Sequence, residues 1–302
     1  MDYSFFFGQL FNGLSSSSIL LLIALGLAIT FGLMGVINMA HCEFMMLGSY
    51  TAYVMEGLFL RMLGESGFGY YFAVALPLSF LVAGVAGWIL ERVLIRHLYG
   101  RPLETLLATW GVSLVMQQML RQVFGPNNVD VRSPVWLTGR ITLGAVELPY
   151  LRIFIIVTTV VAITAVYLLL FRSTLGLRIR AVMQNRGMSA CLGIPTEKID
   201  AYTFAIGSGL AGLAGCVISL MGSVGPTTGQ NYIVDAFMVV VLGGVGKLAG
   251  AIAGSLGIGE FNTLFESFST ATMGKVFIFA LVIVFLQFKP KGFFPTRSRA
   301  LD

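Results

Sequence analysis

The run Gly35-Val36-Ile37-Asn38-Met39-Ala40-His41-Cys42-Glu43 sets an amide, an imidazole and a carboxylate within six positions of an apolar stretch extending from Ile19 to Tyr53. Asn38 can both donate and accept hydrogen bonds, an ionised Glu43 accepts from two amide hydrogens, and His41 does either according to its tautomer. Together they suit recognition of a small polar solute. Ionisable groups at bilayer depth are costly and as a rule face a bundle interior or a wet cavity. A short interruption bearing glycine is also how a helix is broken to line a path through lipid. His41 and Glu43 are two apart, whereas a metal pair on a helix uses three or four, so a polar transport lining is favoured over a bound metal. Each of the three equally suits a structural role, satisfied by a neighbouring helix.

Enzyme chemistry finds no support. The chain has two histidines, His41 and His97, with no Ser-centred elbow, zinc-ligand cluster or Cys-His pairing. The glycine-rich run ending in Gly246-Lys247 fails as a phosphate loop, because Val241 stands where the first Gly belongs and Leu248 where Ser or Thr belongs. Any ATP hydrolysis must come from another polypeptide.

The elements that position these residues must be membrane helices. Of 302 residues, 57% are hydrophobic and 11% charged, and the mean hydropathy is +0.87. A soluble domain carries about a quarter charged residues and cannot hide this much apolar surface. The expected fold is an all-α polytopic membrane protein, a single domain over 1–302, with about eight to ten crossing segments. Expected spans are Ile19 to Ile37, Met39 to Leu60, Tyr70 to Ile95, Leu103 to Phe124, Leu151 to Phe171, Ala201 to Met221 and Val276 to Phe288, plus a broken segment after Tyr232. Residues 1–18 read as a short amphipathic lead lying at the interface, with no cleavable signal peptide. Cys42, Cys191 and Cys216 read as free thiols.

Charge orients the chain. The net charge of +5 lies mostly in loops beside the spans, the pattern of cytoplasmic positive residues. The hairpin with Arg92, Arg96 and Arg101, the region 172–200 and the tail 289–302 are expected inside; the turn-rich loop 125–149 is expected outside as a partner surface. A basic tail conflicts with a single span from Tyr232 to Glu260. The conflict disappears if two pieces, Ile233 to Leu242 and Leu248 to Ile258, turn at Gly243-Gly244-Val245-Gly246-Lys247. Shifting the chain on itself by 209 positions pairs Leu33, Gly35, Val36, Ala40, Leu47 and Gly48 with Leu242, Gly244, Val245, Ala249, Leu256 and Gly257, identical in type. Two pseudo-symmetric breaks are therefore expected, with Asn38, His41 and Glu43 on one side of a substrate path and the backbone of Gly243, Gly244 and Gly246 on the other.

Thr174 to Arg186 is basic and helically spaced, and a small apolar patch, Ala190 to Pro195, follows it. It reads either as an amphipathic helix on an anionic leaflet or as a rigid element docking in a groove of a cytoplasmic motor.

Four motifs in order, Gly35 to His41, Arg180 to Ile194, Gly209 to Gly215 and Val241 to Gly246, resemble the permease subunits of ABC importers for branched-chain amino acids. Within that group, Ile29 to His41 and Gly225-Pro226-Thr227-Thr228-Gly229-Gln230-Asn231-Tyr232-Ile233-Val234-Asp235-Ala236-Phe237-Met238 look most like the urea permease branch, its first permease. The resemblance implies ATP-driven uptake of urea by alternating access in a bacterial inner membrane; the alternatives are branched-chain or other amino acids, or a passive urea channel. Implied partners are a second related permease, two cytoplasmic ATPase subunits and a periplasmic solute-binding protein, with no nucleic acid. No cofactor is expected in this chain, because ATP and Mg would be held by the ATPases. It also implies that Arg178, Arg180, Ala181, Gln184, Asn185, Arg186, Ala190, Leu192 and Gly193 contact the ATPase. The family usually has Gly where this chain has Cys42.

Overall fold

A computed structural model describes residues 3–143, 146–290 and 292–294. The described chain is a helical bundle: α1 (Tyr3–Met34), α2 (His41–Gly67), α3 (Tyr71–Val93), α4 (Pro102–Phe124), α5 (Tyr150–Arg172), α6 (Thr174–Gln184), α7 (Arg186–Cys191), α8 (Thr196–Ile218), α9 (Thr228–Gly243), α10 (Leu248–Phe268) and α11 (Ala271–Phe288). The segments Phe7–Gly32, Phe68–His97, Tyr150–Arg172 and Thr196–Ile218 are long and apolar enough to cross a bilayer, and Thr272–Phe288 is a shorter apolar helix. The protein is an all-α polytopic membrane protein.

Both expected breaks are present. α1 stops at Met34 with Gly35 at φ +65°, and α9 stops at Gly243 with Gly244 at φ +96°. A side chain resists that left-handed backbone, so glycine at each site lets the chain leave the helix. The two stops stand in the register of the internal repeat. α1, however, runs unbroken through Ser18, so the described part of the segment read as an interfacial lead is the first half of a bundle helix.

The bundle is organised around α8, whose small residues let other backbones come close. A Cβ on Gly215 would lie 1.7 Å from the Met45 carbonyl oxygen, and one on Gly48 2.0 Å from that of Gly212. Gly26 of α1 meets Gly207 in the same way, and Gly87 of α3 meets the Ser208 side chain. Lipid-immersed helices associate through such contact, since their apolar faces gain nothing by leaving lipid. α1 also packs on α10, with Gly259 against Ser17 and Gly32 against Gly246. The outward faces remain apolar, as in Leu81 and Val85 of α3, Trp110 and Met119 of α4 and Val161 of α5.

Two ends differ in chemistry. At one, the loop 125–149 is more ordered than its turn-rich composition suggests: β1 (Arg140–Leu143) and β2 (Val146–Pro149) pair antiparallel with Ile141 opposite Leu148. This loop is tied to α2, α3 and the segment after α8. Glu56 accepts from the Arg132 amide at 3.2 Å, the Tyr71 hydroxyl donates to the Arg132 carbonyl, and Val129 bridges to Val224. At the other end lie α6, α7 and the turn 94–101. Of the basic tail, Lys291, Arg297 and Arg299 fall outside the described residues.

The seam makes a direct prediction. Gly215→Ala forces a methyl onto a backbone carbonyl and should cost about 1–3 kcal/mol, read as a lower melting temperature of the detergent-solubilised protein. Gly57→Ala, with open space around its Cβ, should melt like the parent.

Candidate functional site

The first break folds around its own amide. Asn38 Oδ1 accepts from the Ala40 amide at 3.0 Å, a side chain standing in for a backbone turn as α2 begins. His41 then points to α1, where its Nε2 lies 3.2 Å from the Ile23 carbonyl. Glu43 points instead to α4: its Oε1 accepts from Ser113 Oγ at 2.8 Å and Gln117 Nε2 at 2.7 Å. The divergence of His41 and Glu43 follows from their two-residue spacing.

Asn38, His41 and Glu43 are 0%, 0% and 1% exposed, so the structure seals the motif among helices. Their hydrogen bonding is nonetheless incomplete. Among the described residues Asn38 Nδ2, His41 Nδ1 and Glu43 Oε2 have no hydrogen-bond partner. Leaving a buried polar atom unpaired costs about 1–3 kcal/mol, so the motif is held at an energetic cost.

Sequence reasoning overlooked the partners on α4. Thr105, Thr109, Ser113 and Gln117 recur every fourth residue and form the buried polar stripe of a helix whose other faces are largely exposed and apolar. Thr109 Oγ1 accepts from the Met39 amide at 3.0 Å, so this stripe holds both the break and Glu43. The four-residue spacing of polar side chains within an apolar span was the available signal.

The second break is glycine without polar side chains. A Cβ on Gly32 would lie 2.2 Å from Gly246 Cα, so the end of α1 rests directly on this turn. The backbone of Gly243 to Gly246 was expected to offer free carbonyls or amides to a solute. Instead the Leu242 and Gly243 carbonyls accept from the amides of Phe293 and Phe294 at 2.8 and 3.1 Å, and the Gly244 amide donates to Val240.

A polar cavity of about 470 Å³ opens at the hairpin end between α1, α9, α10 and α11, with Asn128 and Ser223 at its rim. None of the six expected path residues lines it. Thr227, Thr228, Asn231, Tyr232, Asp235 and Met238 form its α9 wall. Opposite stand Glu266, whose Oε1 accepts from Asn262 at 2.8 Å, and Lys275, whose ammonium lies 3.4 Å from Asp235 and donates to the Asn231 carbonyl at 3.3 Å. Charges within otherwise apolar helices were the sequence signal for this cavity.

The basic element expected as one helix over Arg180 to Ile194 is two. Asn185, at φ −157°, ends α6 and caps α7 through Oδ1, which accepts from the Met188 amide at 2.9 Å. Ser173 caps α6 likewise, accepting from the Gly176 amide. Gln184, Ala190, Leu192 and Gly193 are exposed, as is Arg178, while Ala181 is half-buried and Arg180 lies over the Phe171 ring. Arg186 turns back to the bundle: its guanidinium is 2.7 Å from Asp200 and stacks 4.3 Å over the Tyr99 ring. Tyr99 donates to Glu91, and Arg96 pairs with Glu197.

The family model for the branched-chain amino acid transport system permease component matches residues 9–286. The chain belongs to that family. It is 33% identical to the high-affinity branched-chain amino acid transport system permease protein BraD of Pseudomonas aeruginosa, covering 94% of each chain. It is 30% identical to LivH of Salmonella typhimurium, which bears the same description, over 96% of each, and 26% identical to a probable LivH of Methanocaldococcus jannaschii over 91% of this chain and 88% of the relative. No solved structure matches. The permease is thus a membrane transport component, in keeping with the absence of an enzyme constellation in its sequence.

In this permease the stripe on α4 is open to test. Gln117→Leu removes one donor from buried Glu43 and should cost about 1–3 kcal/mol, seen as a lower melting temperature. Gln118→Leu, on the exposed side of the same helix, should leave it unchanged.

Proposed function

We propose that this permease is a membrane subunit of an ATP-driven importer in the bacterial inner membrane, and that its solute is urea. One observation carries the solute assignment. The run Gly225 to Met238, which resembles the urea branch of the family, supplies the α9 wall of the polar cavity. Urea is neutral and planar, with four N–H hydrogens and one carbonyl, and that wall and its neighbours offer amides, hydroxyls and carboxylates. Asn38, His41 and Glu43 then form the inner part of the path, between the two breaks, and Gly243, Gly244 and Gly246 let the α9–α10 turn shift beside them.

The partners follow from the same reading. A second related permease completes the membrane part, a periplasmic binding protein delivers solute at the hairpin end, and two cytoplasmic ATPases bind α6 and α7. Exposed Met188 and Leu192, beside basic residues, suit a groove on such an ATPase. The ATP and Mg belong to those chains. Hydrolysis there would move α7 and bias the bundle between inward-open and outward-open states.

A second reading has its own support. The printed names of the relatives describe branched-chain amino acid transport, which favours that solute class over urea, and the cavity has the parts for a zwitterion. Asp235 and Glu266 suit an ammonium, Lys275 and the α9 N-terminus suit a carboxylate, and Leu20, Ile258 and Ile278 suit an aliphatic side chain.

Uptake separates the readings. In proteoliposomes holding the complete importer, labelled urea should accumulate with ATP and binding protein, and a hundredfold excess of leucine should leave that unchanged. Accumulation of leucine without urea would assign the amino-acid solute. Urea entry that needs no ATP would assign a channel and overturn the importer.

A further inference from the structure

The cavity and the buried motif meet neighbouring faces of one helix. Thr228, Asn231 and Asp235 of α9 face the cavity. Gly229 and Ala236, about two turns apart on the same helix, are buried. Gly229 rests on α2: a Cβ there would lie 2.6 Å from the Cys42 carbonyl oxygen and 2.9 Å from Glu43 Oε2. Where α9 meets the buried carboxylate, the residue between them has no side chain.

Glu43 has one oxygen engaged and one unpaired. Its Oε1 is engaged by Ser113 and Gln117 on α4, which fixes the carboxylate, while Oε2 is turned to the Gly229 side with no hydrogen-bond donor. A buried carboxylate oxygen is normally paired or hydrogen-bonded. For an ionised carboxylate the missing group is a donor, and the polar cavity lies along the helix that carries Gly229.

We propose that the first turn of α9 is a gate hinged at Gly229, and that Glu43 Oε2 is the acceptor that receives the N–H groups of the solute once this turn swings off α2. This rests on the importer reading above and deepens it with a second station behind the cavity. The gate needs glycine because any side chain at 229 would wedge against the Cys42 backbone. To swing, the turn must carry the loop before it, because the Gly225 amide donates to Thr228 Oγ1 at 2.8 Å, and must release the Val129–Val224 bridge and the Lys275 bond to the Asn231 carbonyl. The solute class is one with N–H donors, an amide or an ammonium.

Cys42 reports the gate. It is 1% exposed in the closed arrangement and joins Gly229 to Glu43. In the complete importer carrying Cys191→Ser and Cys216→Ser, modification of Cys42 by a small cationic methanethiosulfonate from the hairpin side should be at least tenfold faster with ATP and solute-loaded binding protein than without nucleotide. Cys42→Ala serves as the blank, and urea and leucine are each used as solute. In parallel, Glu43→Gln should raise the KM for uptake at least fivefold while maximal uptake stays within twofold, a split that a purely structural role would not give. Equal Cys42 reactivity in both conditions, in an importer that transports, would overturn the gate. An unchanged KM in Glu43→Gln would overturn the acceptor. If neither solute is taken up with ATP, the importer reading itself fails, and the two failures are told apart by that uptake measurement.

Discussion

Backbone-to-backbone contact along α8 is the constraint on which the rest of the permease depends. Lipid offers no hydrophobic reward for bringing apolar helices together, so their association must come from contact area and hydrogen bonds. Glycine supplies the contact area: the carbonyls of Met45, Gly207 and Gly212 sit where a Cβ would otherwise be. Once α8 is locked to α1, α2 and α3 at this range, the end of α1 and the start of α2 are both fixed against it. The chain between them must then turn within a few residues, and only a glycine at φ +65° lets it do so. The break is thus a product of packing as much as of its own sequence.

Polar residues do what packing cannot, which is to attach weakly packed elements in one register. α4 presents mainly exposed apolar side chains; besides a small cluster of Leu120, Met116 and Phe124 on Met46 and Tyr50, its inward face is the polar stripe, from which Thr109, Ser113 and Gln117 grip Met39 and Glu43. At the basic end, Arg186 joins α7 to Asp200 on α8 and to Tyr99, which in turn reaches Glu91 of α3. Burial pushes the Tyr99 hydroxyl far above its ordinary range, so it stays protonated and donating. Arg186 thus ties α7 to both α8 and α3, and α8 in turn is packed along its glycine seam on the helices that flank the break.

How much of this was legible follows from what each feature requires. Helix existence and the two breaks were readable, because hydropathy, charge bias and a 209-residue repeat all bear on them. Thr174 to Arg186 was readable as basic and helical, but its division at Asn185 was not, since Asn is tolerated within helices and reveals itself as a cap only when its side chain meets the Met188 amide. The hairpin within 125–149 showed only as short alternation. The cavity was missed because its walls join α9, α10 and α11 to α1, more than 200 residues earlier in the chain, and no local pattern brings Asn128, Asp235 and Lys275 together. Asn38, His41 and Glu43 were found by type and depth, yet whether they face solvent or protein is decided by α4, which sequence left without a role.

The two breaks share a backbone and differ in how its orphan groups are satisfied. A helix end leaves carbonyls or amides that must find partners inside lipid. At the first break a side chain answers: Asn38 accepts from Ala40, and Thr109 of α4 accepts from Met39. At the second, the chain after α11 returns, and Phe293 and Phe294 donate to Leu242 and Gly243. The first solution uses polar side chains and leaves Asn38 Nδ2 and Glu43 Oε2 unpaired. The second uses main chain alone, brings two phenylalanines and leaves none of its side chains in that position. Two copies of one break have thus diverged: polar chemistry is concentrated at Asn38 to Glu43, while Gly243 to Gly246 retains only the capacity to bend.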